Sequence, residues 1–329
     1  MKYSTADAKL GGDTLLGERR SSQQRSRAFT SRMTFKPLVV ALSLVTLSFG
    51  LVAASASTAG AAGGVWKAPK MNPIPAAVKE LPAAYKKSGV IKMADINDFA
   101  PCCYFAPGTH TETGSDYDIG VLVAEALGLK VILSTPIFDA IIPGIQAGRY
   151  DYSVDSMNPS LARQKVINFV TYAQGGISIV VPKGNPQNLT QNNLCGKNVG
   201  TLTGSYESTA TLPPLNTACT AAGMPAITVS LYPTPSALSL ALLSGRIDAM
   251  CWDQTAADWL VKKTTGLEIS ATFSYGLGGI GISKKSGLTP AIYTAMKTIL
   301  KSNQYKAILI HWGLWPDYAI KTPTINPKP

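Results

Sequence analysis

Residues 149–169, RYDYSVDSMNPSLARQKVINF, combine residue types and spacings that suit the binding of a small anion. A short β-favouring run leads into a small polar loop, and a proline then begins a helical segment. In an open α/β sheet, ligands bind beyond the carboxyl ends of the strands, where free backbone N–H groups, hydroxyls and amides can hold an anion. The polar side chains of this loop are Asp155, Ser156 and Asn158.

Arg163 follows on the first turn of the predicted helix. Its planar guanidinium can hold a carboxylate through two parallel charge-assisted hydrogen bonds, which a lysine cannot reproduce. The alternative interpretation is an exposed arginine on an amphipathic helix. The segment on its own is compatible with both.

The chain of 329 residues has 46% hydrophobic and 15% charged residues, which is enough apolar material for one large or two medium-sized globular domains. Its N-terminal part has a different composition. Residues 1–32 are polar, residues 35–53 are almost wholly apolar, and small residues follow. This pattern predicts a secretory signal that ends at Ala56 or Ala61, with an uncleaved membrane anchor as the alternative. Because no cysteine precedes Cys102, we expect no N-terminal lipid anchor and a soluble exported protein.

The formal net charge of +11 raises the question of nucleic-acid binding. Residues 1–56 hold eight Lys and Arg against three Asp and Glu, so the rest of the chain carries a net charge of +6. Its lysines are scattered, and no basic run alternates with aromatic residues as in nucleic-acid-binding surfaces. We therefore expect no nucleic-acid partner.

Motifs for phosphate, zinc or nucleophilic chemistry are missing or stand in the wrong context. Gly276, Gly278 and Gly281 match the G-x-G-x-x-G spacing, but the segment continues into ISKK and does not begin a helix. The two histidines, His110 and His311, lie in unrelated segments. The sequence therefore predicts no cofactor and no metal.

Strand and helix patterns alternate along the chain from about residue 90. This alternation predicts an α/β fold with mainly parallel sheets flanked by helices. The pattern restarts after NNLCGK, and the last two helices have no strands of their own, so they should cover the first sheet. The chain would then cross twice between two lobes, near residues 181–185 and 270–278, which makes a hinge and a binding cleft.

Five segments in order resemble the family 3 solute-binding proteins of ABC importers. They are GSDYDIGVLVAEALGLK, FDAIIPGIQAGRYD with SMNPSLARQKVINF, GTLTGSYES, LLSGRIDAMCWD and YKAILIHWGLW. The resemblance covers the chain from about residue 90 to its end. It implies the type II periplasmic-binding fold, in which two α/β lobes are joined by two hinge crossings.

The domain organisation expected on this basis has five parts. These are a leader and signal peptide in residues 1–56, an N-terminal segment in 57–88, a first lobe in 89–182, a second lobe in 183–274, and a return to the first lobe in 275–329.

The resemblance also implies the two poles of an amino-acid site. Arg163 would hold the α-carboxylate and Asp253 the α-ammonium, although a helix cap is the alternative role for Asp253. From the second lobe, Gly204, Ser205 and Tyr206 match a Gly-Thr-Thr element that meets the carboxylate, and Tyr206 departs from that pattern.

Three further residues are expected in the cleft. Phe99 matches the aromatic wall under the aliphatic portion of the ligand, and Tyr104 stands near a position that is usually aromatic. Asp155 departs from the family, which commonly has a small residue there. Burying a second carboxylate in a cleft costs free energy unless a cation lies beside it. Asp155 therefore favours a basic ligand.

Five cysteines in an exported chain suggest disulfide bonds. The resembling proteins often carry a pair at the positions of Cys195 and Cys219, and we predict that these two are bonded. Cys102 and Cys103 are adjacent, so a bond between them would be strained, and a soft-metal site there is a less favoured alternative. Cys251 is predicted to be a buried free thiol behind the site.

The predicted function is that of a periplasmic, soluble and monomeric binding protein. It would capture an amino acid, with a basic one favoured, and deliver it to an inner-membrane ABC permease. One alternative is an enzyme on the same fold, a dehydratase of the cyclohexadienyl or prephenate type, with Asp155 or Glu207 as its acid or base. The other is a sensory binding protein that presents its closed form to a receptor.

Overall fold

The computed structural model describes residues 66–328, so the predicted leader, signal peptide and cleavage sites lie outside the described residues. The strands are β1 (Val90–Ala94), β2 (Asp98–Phe99), β3 (Cys103–Phe105), β4 (Glu112–Thr113), β5 (Lys130–Ser134), β6 (Tyr152–Ser153), β7 (Asn168–Pro182), β8 (Asn198–Leu202), β9 (Thr228–Tyr232), β10 (Ala249–Asp253) and β11 (Leu267–Ile282). The helices are α1 (Pro75–Lys79), α2 (Ala83–Ser88), α3 (Ser115–Ala126), α4 (Ile141–Gln146), α5 (Leu161–Gln164), α6 (Leu212–Ala221), α7 (Pro235–Leu243), α8 (Gln254–Lys263), α9 (Thr289–Ile299) and α10 (Asn303–His311). Among residues 66–328, no helix has the length and apolar character needed to cross a membrane.

Within the described residues, the main sheet has eight strands in the order β5-β1-β6-β11-β7-β10-β8-β9. The first three strands are mutually parallel, and so are the last three. β7 and β11 pair antiparallel over most of their length and connect the two halves, which are the two lobes. The predicted α/β fold with mainly parallel sheets and two crossings is therefore confirmed.

The two crossings are long central strands. β7 pairs with β10 over its residues 177–180, so the chain enters the second lobe before the predicted crossing near residues 181–185. The crossing lies earlier because one unbroken strand passes through both lobes. On the return, register shifts in β11 occur between Phe273 and Gly276 and between Gly278 and Gly279. These glycines lie in a strand, which agrees with the exclusion of a phosphate-binding loop.

The last helices cover the first lobe, as predicted. In α9, Ile292, Ala295, Met296 and Ile299 recur at helical spacing and form one buried face. They join a core cluster with Ile91 of β1. Antiparallel bridges from β7 to residues 319 and 325 then hold the C-terminal segment on the same lobe.

The second lobe has its own apolar core between β8, β10 and α6, which includes Val199, Leu212 and Cys251. The predicted disulfide bond is confirmed, since Cys195 and Cys219 are bonded and tie α6 to the loop before β8. In the described part of the chain, the other cysteines are free and buried, including Cys251 as predicted.

Candidate functional site

A cleft, called here the solute cavity, lies between the lobes. It is built at the carboxyl ends of β1, β6, β8 and β10, which is where α/β sheets bind ligands. The predicted residues that it brings together are Phe99, Asp155, Ser156, Asn158, Arg163, Ser205, Tyr206 and Asp253. Residues missed by sequence reasoning also line it, namely Ile96, Phe138, Leu202 and Trp252.

Arg163 is buried at the first-lobe wall of this cavity. The helix that carries it is positioned by Ser160, whose side chain caps the helix by accepting a hydrogen bond from the Arg163 backbone N–H. One guanidinium nitrogen, Nη1, donates to the carbonyl of Asn158 at 3.0 Å, and Nη2 donates to the carbonyl of Gly204 at 2.9 Å. The exposed-arginine interpretation is therefore wrong, because the side chain points between the lobes.

Gly204 belongs to the site through this contact, although it does not line the cavity. Its φ of +73° is left-handed, and a Cβ there would lie 2.9 Å from the Cβ of Asp139 in the first lobe. Glycine is therefore required for the two lobes to approach at Arg163.

The turn that follows contributes Ser205, Tyr206 and Glu207 from the second lobe. The Ser205 hydroxyl accepts a hydrogen bond from the Ser208 backbone N–H at 3.2 Å and lies 3.2 Å from the hydroxyl of Thr201. Tyr206 packs against the second-lobe core and also lines the cavity. Burial raises the pKa of Glu207, and the nearby Arg163 guanidinium opposes that rise.

Asp253 ends β10, where it caps a helix and also lines the solute cavity, so its contact with an α-ammonium remains a prediction. Its Oδ1 accepts a hydrogen bond from the Ala256 backbone N–H at 3.2 Å and so caps α8. The same side chain lines the cavity. Burial, followed by the negative charge of Glu207, raises the pKa of Asp253 to about 7. A cation that reached this carboxylate would relieve the cost of its burial.

Asp155 lies deeper in the first lobe, and protein donors already engage its carboxylate. Oδ1 accepts from the Cys103 thiol at 2.8 Å and from the Ile96 backbone N–H at 3.3 Å, while Oδ2 accepts from the Ser153 hydroxyl at 3.1 Å. Burial raises the pKa of Asp155 to about 7. The expected contact of Asp155 with a ligand cation remains a prediction, and these hydrogen bonds weaken its basis.

Ser156 adopts a left-handed backbone conformation with a φ of 46°. Asp116, at the start of α3, holds it there, because Asp116 Oδ2 accepts from the Ser156 backbone N–H at 2.8 Å and from the hydroxyl at 2.9 Å. The Ser156 N–H also donates to the hydroxyl of Tyr172 at 3.0 Å. Sequence reasoning missed Asp116, although its acidic side chain in GSDYDIG begins a helix.

The aromatic residues divide between two places. Phe99 meets Trp252 edge to face, with ring centroids 5.4 Å apart, and both residues line the solute cavity. Tyr104 lies outside the lining and packs against Trp259 and Trp312, with centroids 6.3 and 6.1 Å away. The predicted ligand contact of Tyr104 is thus not supported by its position, because its ring fills an aromatic cluster between the lobes.

Within residues 66–328, no group of three or more His, Cys, Asp and Glu side chains is arranged to hold a metal ion. The solute cavity is lined by one buried guanidinium, the buried carboxyls of Asp155 and Glu207, the partly exposed carboxyl of Asp253, and aromatic side chains. This arrangement suits a zwitterion whose carboxylate and ammonium are a few bonds apart.

The chain is similar in sequence and in structure to known solute-binding proteins. The chain is 24% identical to the arginine-binding protein ArgT of Corynebacterium glutamicum, over 76% of this chain and 82% of that protein. It is 27% identical to the lysine/arginine/ornithine-binding periplasmic protein of Escherichia coli, over 58% of this chain and 75% of that one. An ancestral arginine-binding protein bound to arginine superposes with a TM-score of 0.62 and 29% identity, covering 68% of this chain and 98% of that structure. Residues 91–314 match the sequence model of the bacterial extracellular solute-binding proteins, family 3, and the chain belongs to that family.

Proposed function

We propose that this protein is the periplasmic binding component of an ABC importer for a basic amino acid. The observation that carries the proposal is the pairing of buried Arg163 with partly exposed Asp253 at one cavity between two lobes. An α-amino acid carries a carboxylate and an ammonium on one carbon, so two opposite protein charges fix both its identity and its orientation.

The carboxylate seat combines charge with directed donors. Arg163 supplies the positive charge, and the turn at Ser205 and Tyr206 supplies hydroxyl and backbone groups from the opposite lobe. A ligand that contacts both lobes would stabilise their closure, because it binds the closed form better than the open one. Closure around the ligand and release into a permease would make up the transport cycle.

A basic ligand is supported by two independent lines. The acidic groups around the cavity, Asp155, Glu207 and Asp253, outnumber its single guanidinium. Relatives at 24% and 27% identity carry names as arginine-binding and lysine/arginine/ornithine-binding proteins. An additional positive charge on the ligand would offset the excess of buried negative charge.

A dehydratase on the same fold is the second candidate, since Glu207 is a buried carboxyl with a raised pKa at the cavity wall. Such a group can act as a general acid. Against catalysis, Glu207 lies beside Arg163, which our proposal uses to bind the carboxylate. We therefore propose that the solute leaves the protein chemically unchanged.

Calorimetric titration of the purified protein tests the proposal. The panel contains arginine, lysine, ornithine, histidine, glutamine, glutamate and a prephenate-type cyclohexadiene acid. We expect the basic amino acids to bind most tightly and to be recovered intact after incubation. Turnover of the cyclohexadiene acid would support the enzyme, and a best ligand that is acidic would refute the basic assignment. Loss of growth on the ligand after gene deletion separates transport from a sensory role.

A further inference from the structure

Two consecutive residues of β2 in the first lobe, Asp98 and Phe99, both contact the second lobe. Asp98 binds Ser236 at the start of α7, and Phe99 meets Trp252 of β10. One short segment of the first lobe therefore makes a polar and an aromatic contact with the second lobe. Neither Asp98 nor Ser236 lines the solute cavity, so the polar contact is separate from the residues that would hold the solute.

The polar contact completes the N-terminus of α7. The first turn of a helix leaves N–H groups without partners inside the helix. Pro235 has no N–H, and Thr234 Oγ1 accepts from the Ala237 N–H at 3.2 Å. The remaining Ser236 N–H donates to Asp98 Oδ2 at 3.0 Å, and the Ser236 hydroxyl donates to Asp98 Oδ1 at 2.6 Å. Both oxygens of a first-lobe carboxylate thus accept charge-assisted hydrogen bonds at the positive end of a second-lobe helix.

The aromatic contact stands between two spaces. Phe99 and Trp252 line the solute cavity, and both also line a groove on the protein surface. That groove continues over the exposed side chains of Leu240, Leu243 and Lys263. The rings of Phe99 and Trp252 are buried and belong to one apolar cluster that includes residues of both lobes. A solute that passed from the cavity to the groove would have to separate these two rings.

Opening of the hinge would break both contacts together, because each joins one lobe to the other. Water would then replace Asp98 as the partner of the Ser236 N–H and hydroxyl. The hydrogen bonds at Asp98 therefore stabilise the closed form relative to the open form, and they do so by the same amount for any solute. Arg163 and Asp253, in contrast, line the cavity, where their effect depends on the solute.

We propose that Asp98 and Ser236 form a latch that keeps Phe99 against Trp252 and so sets the rate at which the solute leaves. The inference rests on the proposed function and adds a control of release that is separate from recognition of the solute. The latch forms once the lobes have closed on a solute that is already bound. It should therefore act on the dissociation rate constant and spare the association rate constant.

Stopped-flow kinetics with arginine as the ligand test the latch. Asp98→Ala removes both acceptors, so we expect the dissociation rate constant to rise about tenfold and the association rate constant to stay within about twofold of wild type. Ser236→Ala removes the hydroxyl and keeps the N–H, and a rise of about threefold is expected. The ratio of arginine to lysine affinity should be unchanged in both variants.

Two control variants match these changes. Ser239→Ala alters the same residue type in the same helix and the same groove, whereas both contacts of Asp98 with α7 go to Ser236. Asp317→Ala removes an exposed aspartate of the first lobe. Both controls should release arginine at the wild-type rate.

The double variant Asp98→Ala with Ser236→Ala separates a latch from two unrelated local effects. If the side chains act through one shared contact, the double variant should release arginine no faster than Asp98→Ala alone. Rate increases that multiply would overturn the inference, because they would mean that each residue acts independently.

Wild-type dissociation rates in both single variants would overturn the inference and leave the proposed function intact, and so would changes confined to the association rate constant. A wild-type protein that binds neither arginine nor lysine would overturn the proposed function and the inference with it. If Asp98→Ala does not fold, the comparison of Ser236→Ala with Ser239→Ala decides the question. Faster release in Ser236→Ala alone supports the latch, and equal rates in the two variants refute it.

Discussion

Asp155 in the first lobe and Asp253 in the second occupy equivalent places but differ in what surrounds them. Each stands at or just after the carboxyl end of a strand, and burial raises the pKa of each to about 7. Asp155 accepts hydrogen bonds from three protein groups, Ile96, Cys103 and Ser153. Asp253 caps a helix with one oxygen, is partly exposed and lines the solute cavity. The comparison shows that protein donors and low exposure together make Asp155 less available to a ligand than Asp253.

The neighbours of Asp155 extend this contrast. Asp95 Oδ2 and both carboxyl oxygens of Glu112 are buried without a hydrogen-bond partner in the described part of the chain. Burial raises the pKa of Glu112 to about 7 and that of Asp95 well above its usual range. The first lobe thus holds a group of crowded carboxyls that favour protons, whereas Asp253 of the second lobe is a partly exposed carboxyl at the cavity wall.

The largest effect is expected at the positive pole. Arg163→Ala should cost about 2 to 5 kcal/mol of affinity for the best ligand, because the carboxylate would be buried without its charged partner. Calorimetric titration measures the loss, and Arg149→Ala, at an exposed arginine, is the control. An affinity of Arg163→Ala within about threefold of wild type would remove Arg163 from the site.

A somewhat smaller effect is expected at the negative pole. Asp253→Asn keeps an acceptor for the Ala256 N–H, so the cap of α8 should survive, but it removes the charge that meets the ammonium. We expect a loss of about 1 to 3 kcal/mol for all amino acids, basic and neutral alike. Unchanged affinity together with a lower melting temperature would mean that Asp253 serves only as a helix cap.

The third prediction concerns pH and separates binding from stability. The folded-state pKa of Asp253 lies at about 7, so the carboxyl takes up a proton as the pH falls below that value, and affinity should fall with it.

Stability should change in the opposite direction. Asp155, Asp253 and Glu112 bind more protons in the folded than in the unfolded chain between about pH 4 and 7, so the free energy of unfolding falls as pH rises through this window.

Urea unfolding of the ligand-free protein at pH 5 and pH 8 measures this change, which we expect to be roughly 2 kcal/mol for each carboxyl that is fully buried with a pKa of about 7. Asp155→Asn should reduce the difference, since it removes one of the groups responsible. Greater stability at pH 8 than at pH 5 would contradict the assignment of raised pKa values to these carboxyls.

The smallest effect is expected for ligand binding at Asp155. Because its oxygens are engaged within the first lobe, Asp155→Asn should change the ratio of arginine to glutamine affinity by less than about threefold. A selective loss for arginine would instead support the ligand contact expected from the sequence. The same titration series as for Asp253→Asn provides the comparison.

The fold was largely predictable because its signals are local and periodic. Alternating strands and helices, the apolar spacing of α9 and the family motifs indicated two lobes and a returning C-terminal segment. The crossing in β7 was misplaced because an apolar strand that runs through two lobes carries no break in its pattern. Its position emerges only from pairing with β10, which is a long-range contact.

The candidate site was predictable in its charged poles but not in the orientation of each side chain. Arg163 and Asp253 stand at motif positions, and both reach the cavity. Tyr104 does not, because Trp259 and Trp312, distant in sequence, form its packing partners. Asp116 was missed because its role depends on the backbone of Ser156, which lies 40 residues further along the chain.

The central claim is that one cavity holds an amino acid between Arg163 and Asp253, and a crystal structure with bound arginine tests it most directly. We predict the ligand carboxylate within hydrogen-bond distance of the Arg163 guanidinium and the α-ammonium within hydrogen-bond distance of Asp253. A carboxylate bound away from Arg163, or an α-ammonium that contacts Asp155 in place of Asp253, would contradict the claim.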